Sequence, residues 1–163
     1  LQNIAGFIVG KEYEQAGIAK DGAKMVHAVA TANVPKFTVI TGRSYGAGNY
    51  AMAGRAYDPE LLFMWPNAEI GVMGGEQAAM VLTMVKEDQM RSKGLTFSNE
   101  EKEKMEQEIL LRYKMENSAW FSTSRVWDDG IIDPAMTRQY IASGISMTLY
   151  HEWDQPSQGI YRM

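Results

Sequence analysis

Residues 36–55 constrain this chain more than any others. Lys36-Phe37-Thr38-Val39-Ile40-Thr41 is an apolar, β-branched run that reads as a buried strand. Arg43-Ser44-Tyr45-Gly46-Ala47-Gly48-Asn49-Tyr50 follows, and Ala51-Met52-Ala53 then offers small residues compatible with a helix. A strand, a glycine-rich turn and a helix start point several free backbone N–H groups at one place. The helix dipole adds positive potential there, so the turn suits an anion or a developing oxyanion. Glycines let a ligand approach because no Cβ stands in the way. A tight packing turn has the same pattern, and the residues alone leave both readings open. A nucleotide loop is excluded: Ala51 stands where G-x-G-x-x-G needs its third glycine, and no Gly-Lys-Ser/Thr closes the run.

Composition removes several other classes. The 163 residues suffice for one domain with a real core. A net charge of −4 gives no reason to expect nucleic acid or an anionic membrane as partner. Cysteine is absent, which removes disulfides, thiolate zinc sites and a cysteine nucleophile. The two histidines, His27 and His151, are far apart in sequence, so no metal site is expected. No apolar stretch reaches the ~20 residues needed to cross a bilayer.

Along the chain, Leu1-Gln2-Asn3-Ile4 reads as a strand already under way. Glu12 to Thr31 reads as one helix, with Ile18, Gly22, Met25, Val26 and Val29 on one stripe and many small residues that suit close packing on a sheet. Gly17 and Gly22 each cost such a helix about 1 kcal/mol relative to Ala. Further strands are expected at Leu61–Trp65 and Ile70–Met73, with turns at Tyr57-Asp58-Pro59 and Pro66-Asn67. Gly74-Gly75 opens a second strand-to-helix junction, with the helix over Gln77–Arg91. Ser98 and Glu101 form a capping-box pattern ahead of a helix reaching Asn117, with a Glu100–Lys104 pair on its charged, solvated face. A short helix over Ser118–Val126 and an amphipathic one over Ala135–Tyr150 follow, then a tail from Glu152 to Met163 that is either a docking arm or loose. The order of elements indicates an α/β domain.

Several segments in order carry a family resemblance: Gly6-Phe7-Ile8-Val9-Gly10, Gly17 to Lys24, Val34 to Ile40, the glycine turn, Met64 to Ala79, and Trp127-Asp128-Asp129-Gly130-Ile131-Ile132-Asp133-Pro134. Over roughly residues 1 to 150 the chain resembles the C-terminal domain of the carboxyltransferase (β) subunit of biotin-dependent acyl-CoA carboxylases. It is most similar to the 3-methylcrotonyl-CoA branch, because the propionyl and acetyl branches tend to carry Tyr-Gly-Gly-Ala-Tyr where this chain has Tyr45-Gly46-Ala47-Gly48-Asn49. The resemblance implies a crotonase-like ββα spiral. It also implies that residues 1–163 are the C-terminal part of a larger two-domain subunit, inactive in isolation. The expected activity moves the carboxyl group of carboxybiotin to an acyl-CoA. Partners implied are a biotin carboxylase/biotin carrier subunit and a homo-oligomer formed through the carboxyltransferase N-domain of a partner subunit. The compartment would be cytoplasmic in bacteria and the mitochondrial matrix in eukaryotes.

Residue by residue, the resemblance assigns the backbone N–H groups of Ala47 and Gly48 to the biotin ureido oxygen, with Gly46 opening the turn. Exchanging Gly-Ala for Ala-Gly leaves that role intact, since only main-chain donors are used. Gly6 and Phe7 border the pocket, Phe7 either touching biotin or packing in the core. Gly74 and Gly75 either pass close to the biotin ring or make a structural turn, and Tyr50 faces the acyl chain. Tyr45, Met52 and the scattered methionines are expected in the core, and His27 outside any catalytic role. Asp128, Asp129 and Asp133 are expected to cap turns rather than bind a cation. Three alternatives stay open: a geranyl-CoA or other acyl-CoA carboxyltransferase, a biotin-free hydratase or isomerase of the crotonase type, and a non-catalytic assembly fragment.

Overall fold

Strand β2 (Phe37–Tyr45) organises the molecule, and every other strand pairs with it in parallel. In the computed structural model, which describes residues 1–150 and residue 152, β1 (Gln2–Ile4) lies along one edge of β2. The other edge is shared end to end. β3 (Leu61–Met64) takes the first half, Phe37 opposite Leu61, and β4 (Glu69–Gly71) the second, Tyr45 opposite Gly71. Serving two partners in succession makes β2 four residues longer than the apolar run ending at Thr41, so Ser44 and Tyr45 belong to the strand and not to the turn. The fourth strand correspondingly ends before Val72, two residues short of expectation.

The core lies on both faces of this sheet, as a parallel sheet requires. Ile40, Leu62, Met64 and Ala68 pack with Ala119 on one face, while Val39, Phe63 and Ile132 pack on the other. Helix α6 (Ala119–Ser124) supplies Ala119 to the first. Helix α7 (Thr137–Thr148), preceded by a 3₁₀ turn at Pro134–Met136, covers the second, and there a Cβ on Gly144 would stand 2.6 Å from the Phe37 ring. Trp65, expected as the last residue of this strand, follows it instead and packs on the core, its indole N–H donating to Thr137 Oγ1 at 2.9 Å. The methionines do not fill the core: Met64 is buried, but Met25, Met80, Met84, Met115, Met136 and Met147 are exposed.

The expected helix over Glu12–Thr31 is two helices, α1 (Lys11–Ala16) and α2 (Ile18–Thr31), broken at Gly17 with φ +95°. A left-handed glycine ends one helix and starts the next, which removes its cost as an interior residue. Gly22 does have the close neighbour its position implied, for the Phe7 ring occupies the space a Cβ would need. Helix α2 leans on α3 (Gly46–Ala51), and Met25 stays exposed. Helices α4 (Gly75–Ser92) and α5 (Asn99–Glu116) form an antiparallel hairpin. The Ser98–Glu101 capping box is present at the start of α5. Ion pairs on α5 join Lys102 to Glu87 across the hairpin at 2.8 Å and Arg112 to Glu116 along the helix at 2.9 Å, in place of the expected Glu100–Lys104 pair. The tail after Glu152 lies outside the described residues.

Candidate functional site

Because β2 and β4 run side by side and both end in glycine-rich turns, the two strand-to-helix junctions are neighbours. At the first, Tyr45 is the residue before the helix and Gly46 the first helical one, with φ +57°. That left-handed angle favours glycine, and a Cβ there would also stand 2.9 Å from the Val72 carbonyl of the second junction. Gly46, Ala47 and Gly48 form the first turn of α3, whose N–H groups have no partner within the helix. No side chain caps them. Ala47 is exposed and Gly48 buried. A Cβ on Gly48 would meet Ile4 Cδ1 at 3.0 Å and the Gly6 carbonyl at 3.4 Å. Gly6 is thus brought to the α3 start. Phe7 turns the other way, onto Gly22, and Tyr50 is half exposed with its ring edge-on to Tyr57 at 6.0 Å.

Three polar residues that sequence reasoning passed over hold this turn. Gln2 and Ser44 are buried, at 1% and 0% exposure, and Asn49 is half-buried. Asn49 Nδ2 donates to Ser44 Oγ at 2.8 Å and to Gln2 Oε1 at 3.4 Å, and Ser44 Oγ donates to Gln2 Oε1 at 2.5 Å. The signal was a polar residue at each of two inward strand positions, invisible without the register of β1 on β2.

The second junction is built differently. Gly74 precedes α4 with φ −68°, an angle open to any residue. A Cβ on Gly74 would meet the end of the Gln77 side chain, and one on Gly75 would stand 3.1 Å from Tyr113 Cβ. Buried Asn117 braces this turn, its Nδ2 donating to the Met73 carbonyl at 3.2 Å. A cleft of about 250 Å³ opens here, lined by Arg43, Tyr45, Glu69, Gly74, Gly75 and Tyr113 among others; Gly46, Ala47 and Gly48 do not line it. Inside it the Tyr45 hydroxyl donates to Glu69, and Arg43 stands 3.9 Å from the same carboxylate. Burial, then the Glu69 hydrogen bond and charge, push the Tyr45 phenol up to about 12. Tyr45 is buried as expected and Met52 is half-buried.

Away from both junctions Asp128 and Asp133 cap turns as expected, whereas Asp129 instead ties distant segments together. Asp128 accepts from Ser122, Thr123 and the Gly130 N–H, Asp129 from the Leu62 N–H and Arg55, and Asp133 from the Ala135 N–H. No group of acidic or histidine side chains among the described residues is arranged to hold a metal ion. His27 lies on α2, outside both junctions.

Known proteins match this arrangement closely. A methylcrotonoyl-CoA carboxylase beta chain of Drosophila melanogaster, named as probable and mitochondrial, is 55% identical over 163 residues, covering 100% of this chain and 28% of the relative. The biotin-dependent 3-methylcrotonyl-coenzyme A carboxylase beta1 subunit of Mycobacterium tuberculosis is 54% identical over 163 residues, covering 100% and 31%. The crystal structure of the transcarboxylase 12S hexamer with hydrolysed methylmalonyl-coenzyme A superposes with a TM-score of 0.79 at 31% identity, over 99% of this chain and 29% of that one. This likeness and the parallel-stranded α/β architecture bear out the crotonase-like fold. The chain spans less than a third of the length of these relatives. Residues 1–159 match the carboxyl transferase domain, and the chain belongs to that family.

Proposed function

We propose that this chain is the C-terminal domain of a biotin-dependent acyl-CoA carboxyltransferase subunit, acting on 3-methylcrotonyl-CoA. The uncapped first turn of α3, opened by a left-handed glycine and lined by the Gly6 loop, carries this reading. Bound biotin would bring the carboxyl group and a basic ring nitrogen, so the site needs no side-chain base. What the chain supplies is a pair of main-chain donors at Ala47 and Gly48, where negative charge gathers on the ureido oxygen. The helix dipole of so short a helix adds little, so the two N–H groups themselves do the stabilising. Gly6, which has open space where a Cβ would point, leaves room beside them. Tyr50, exposed beyond the turn, faces the acyl chain. Phe7 packs on Gly22 and serves the loop rather than the ligand.

The acyl-CoA itself, the biotin carrier and the remaining wall of the site come from other parts of the assembly: the N-domain of a partner copy and a biotin carboxylase/biotin carrier subunit. The relative named as mitochondrial supports the mitochondrial matrix for a eukaryotic source; a bacterial source implies the cytoplasm. A hydratase or isomerase would need a carboxylate at the start of α3. Asn49 is amidated and turned inward, and Glu69 is engaged by Tyr45 in the neighbouring cleft. Carboxylation rates of the complete enzyme on methylcrotonyl-, geranyl- and propionyl-CoA test the reading. A preference for methylcrotonyl-CoA is expected, and a preference for propionyl-CoA would overturn the substrate. The isolated domain is expected to show no transfer, and unaided turnover would overturn the divided site.

A further inference from the structure

We propose that Asn49 is a positioning residue for carboxyl transfer, aiming the Ala47 and Gly48 N–H groups through a buried amide–hydroxyl–amide network. The proposal rests on the carboxyltransferase reading and adds to it a side chain whose contacts face away from the reacting atoms.

Helix α3 is six residues long, too short to hold its own direction in the absence of tertiary contacts. Its first turn carries no side-chain cap, so nothing on the ligand side fixes it. The restraint comes from behind. Asn49 lies one residue after Gly48, and both N–H bonds of its side-chain amide are used, to Ser44 Oγ at 2.8 Å and Gln2 Oε1 at 3.4 Å. Ser44 donates onward to the same Gln2 oxygen at 2.5 Å. The Gln2 amide then returns to the far end of the helix, where Nε2 donates to the Met52 carbonyl at 2.6 Å. One glutamine of β1 therefore grips α3 at Asn49 and at its C-cap, with Ser44 of β2 as the middle link. Gly54 completes the fit: its N–H donates to the Asn49 carbonyl at 2.9 Å, and the space its Cβ would fill holds Asn49 Oδ1.

Such a network, buried at Gln2 and Ser44, fixes a short element in one orientation, because each member released leaves another unpaired. Donors that must meet a developing charge with little reorganisation gain most from that rigidity. A misplacement of about 1 Å is enough to lower a rate about 100-fold.

The test is made in the complete carboxylase with Asn49→Ala, Ser44→Ala and the double variant. Asn49→Ala is expected to lower kcat about tenfold or more with KM for the acyl-CoA changed less than about twofold. Ser44→Ala, which adds no volume, is expected to lower kcat in the same sense, and it carries the test if Asn49→Ala fails to fold. The double variant is expected to lose no more than Asn49→Ala alone, since the two bonds act as one unit. Wild-type kcat in either folded single variant, a loss confined to KM, or a loss that only tracks the folded fraction would overturn the proposal. Gly48→Pro separates the two levels. If it abolishes transfer while Asn49→Ala is fully active, only the positioning role falls; if it leaves transfer intact, the carboxyltransferase reading of the turn falls with it.

Discussion

The two glycine junctions stand side by side on adjacent parallel strands, yet they need glycine for different reasons. At the first, the backbone itself demands it: Gly46 has φ +57°, and the Val72 carbonyl lies 2.9 Å from where a Cβ would sit. At the second, Gly74 has φ −68°, and the crowding comes from the movable end of Gln77. The first leads into six residues of helix held by Gln2, Ser44 and Asn49; the second leads into eighteen residues of helix braced by α5 and Asn117. A short helix tied down from behind presents its amides in a set direction. A long helix stabilised along its length tolerates adjustment at its first residue.

That contrast predicts unequal responses to mutation. Ala47→Pro or Gly48→Pro in the complete enzyme is expected to lower kcat by about 100- to 1,000-fold, the usual effect of deleting one oxyanion donor. Gly74→Ala is expected to lower it less than about tenfold, because Gln77 can swing aside. Equal losses at both junctions in steady-state assays would erase the distinction. Gly46→Ala is expected to destabilise the domain by more than the about 1–2 kcal/mol of a left-handed alanine, because its Cβ also meets the Val72 carbonyl, read by denaturant titration. The same titration on Ser98→Ala is expected to show a loss of about 1 kcal/mol, from the α5 cap, with carboxyl transfer unchanged.

The smallest effect concerns Tyr45, which links the junctions. Its folded-state phenol titrates at about 12, above the ordinary value near 10, so the native state keeps its proton longer than the unfolded chain does. The contribution is present in full below pH ~10 and is lost as pH rises towards ~12. Tyr45→Phe is therefore expected to flatten the alkaline limb of a stability–pH curve relative to wild type. An unchanged limb would show that burial and the Glu69 contact together do not hold the proton on Tyr45.

Legibility in the sequence followed the range of the interactions involved. The apolar run before Thr41, the Ser98 cap and the turn-capping Asp128 and Asp133 are local patterns, and each stands where expected, whereas Asp129 bonds to distant residues. The strand-to-helix character of both glycine turns is local too, and it placed Ala47, Gly48, Gly74 and Gly75 at helix starts. The length of β2 was not, because residues 43–45 become strand only through pairing with β4. Gly17 reads as an interior helix residue until its left-handed angle is known. The roles of Gln2 and Asn49 depend on contacts across 47 residues of sequence, which no periodicity encodes. The methionines on α4 and α5 that stay exposed could not be told from core-filling ones by composition, because the side chain suits both places.

The most direct test of the account is a structure of the complete enzyme with biotin bound. The ureido oxygen is predicted to lie about 3 Å from the main-chain nitrogens of Ala47 and Gly48, with the N–H bonds directed at it. A ureido oxygen held instead by the Gly74–Gly75 cleft, or by side chains alone, would contradict it.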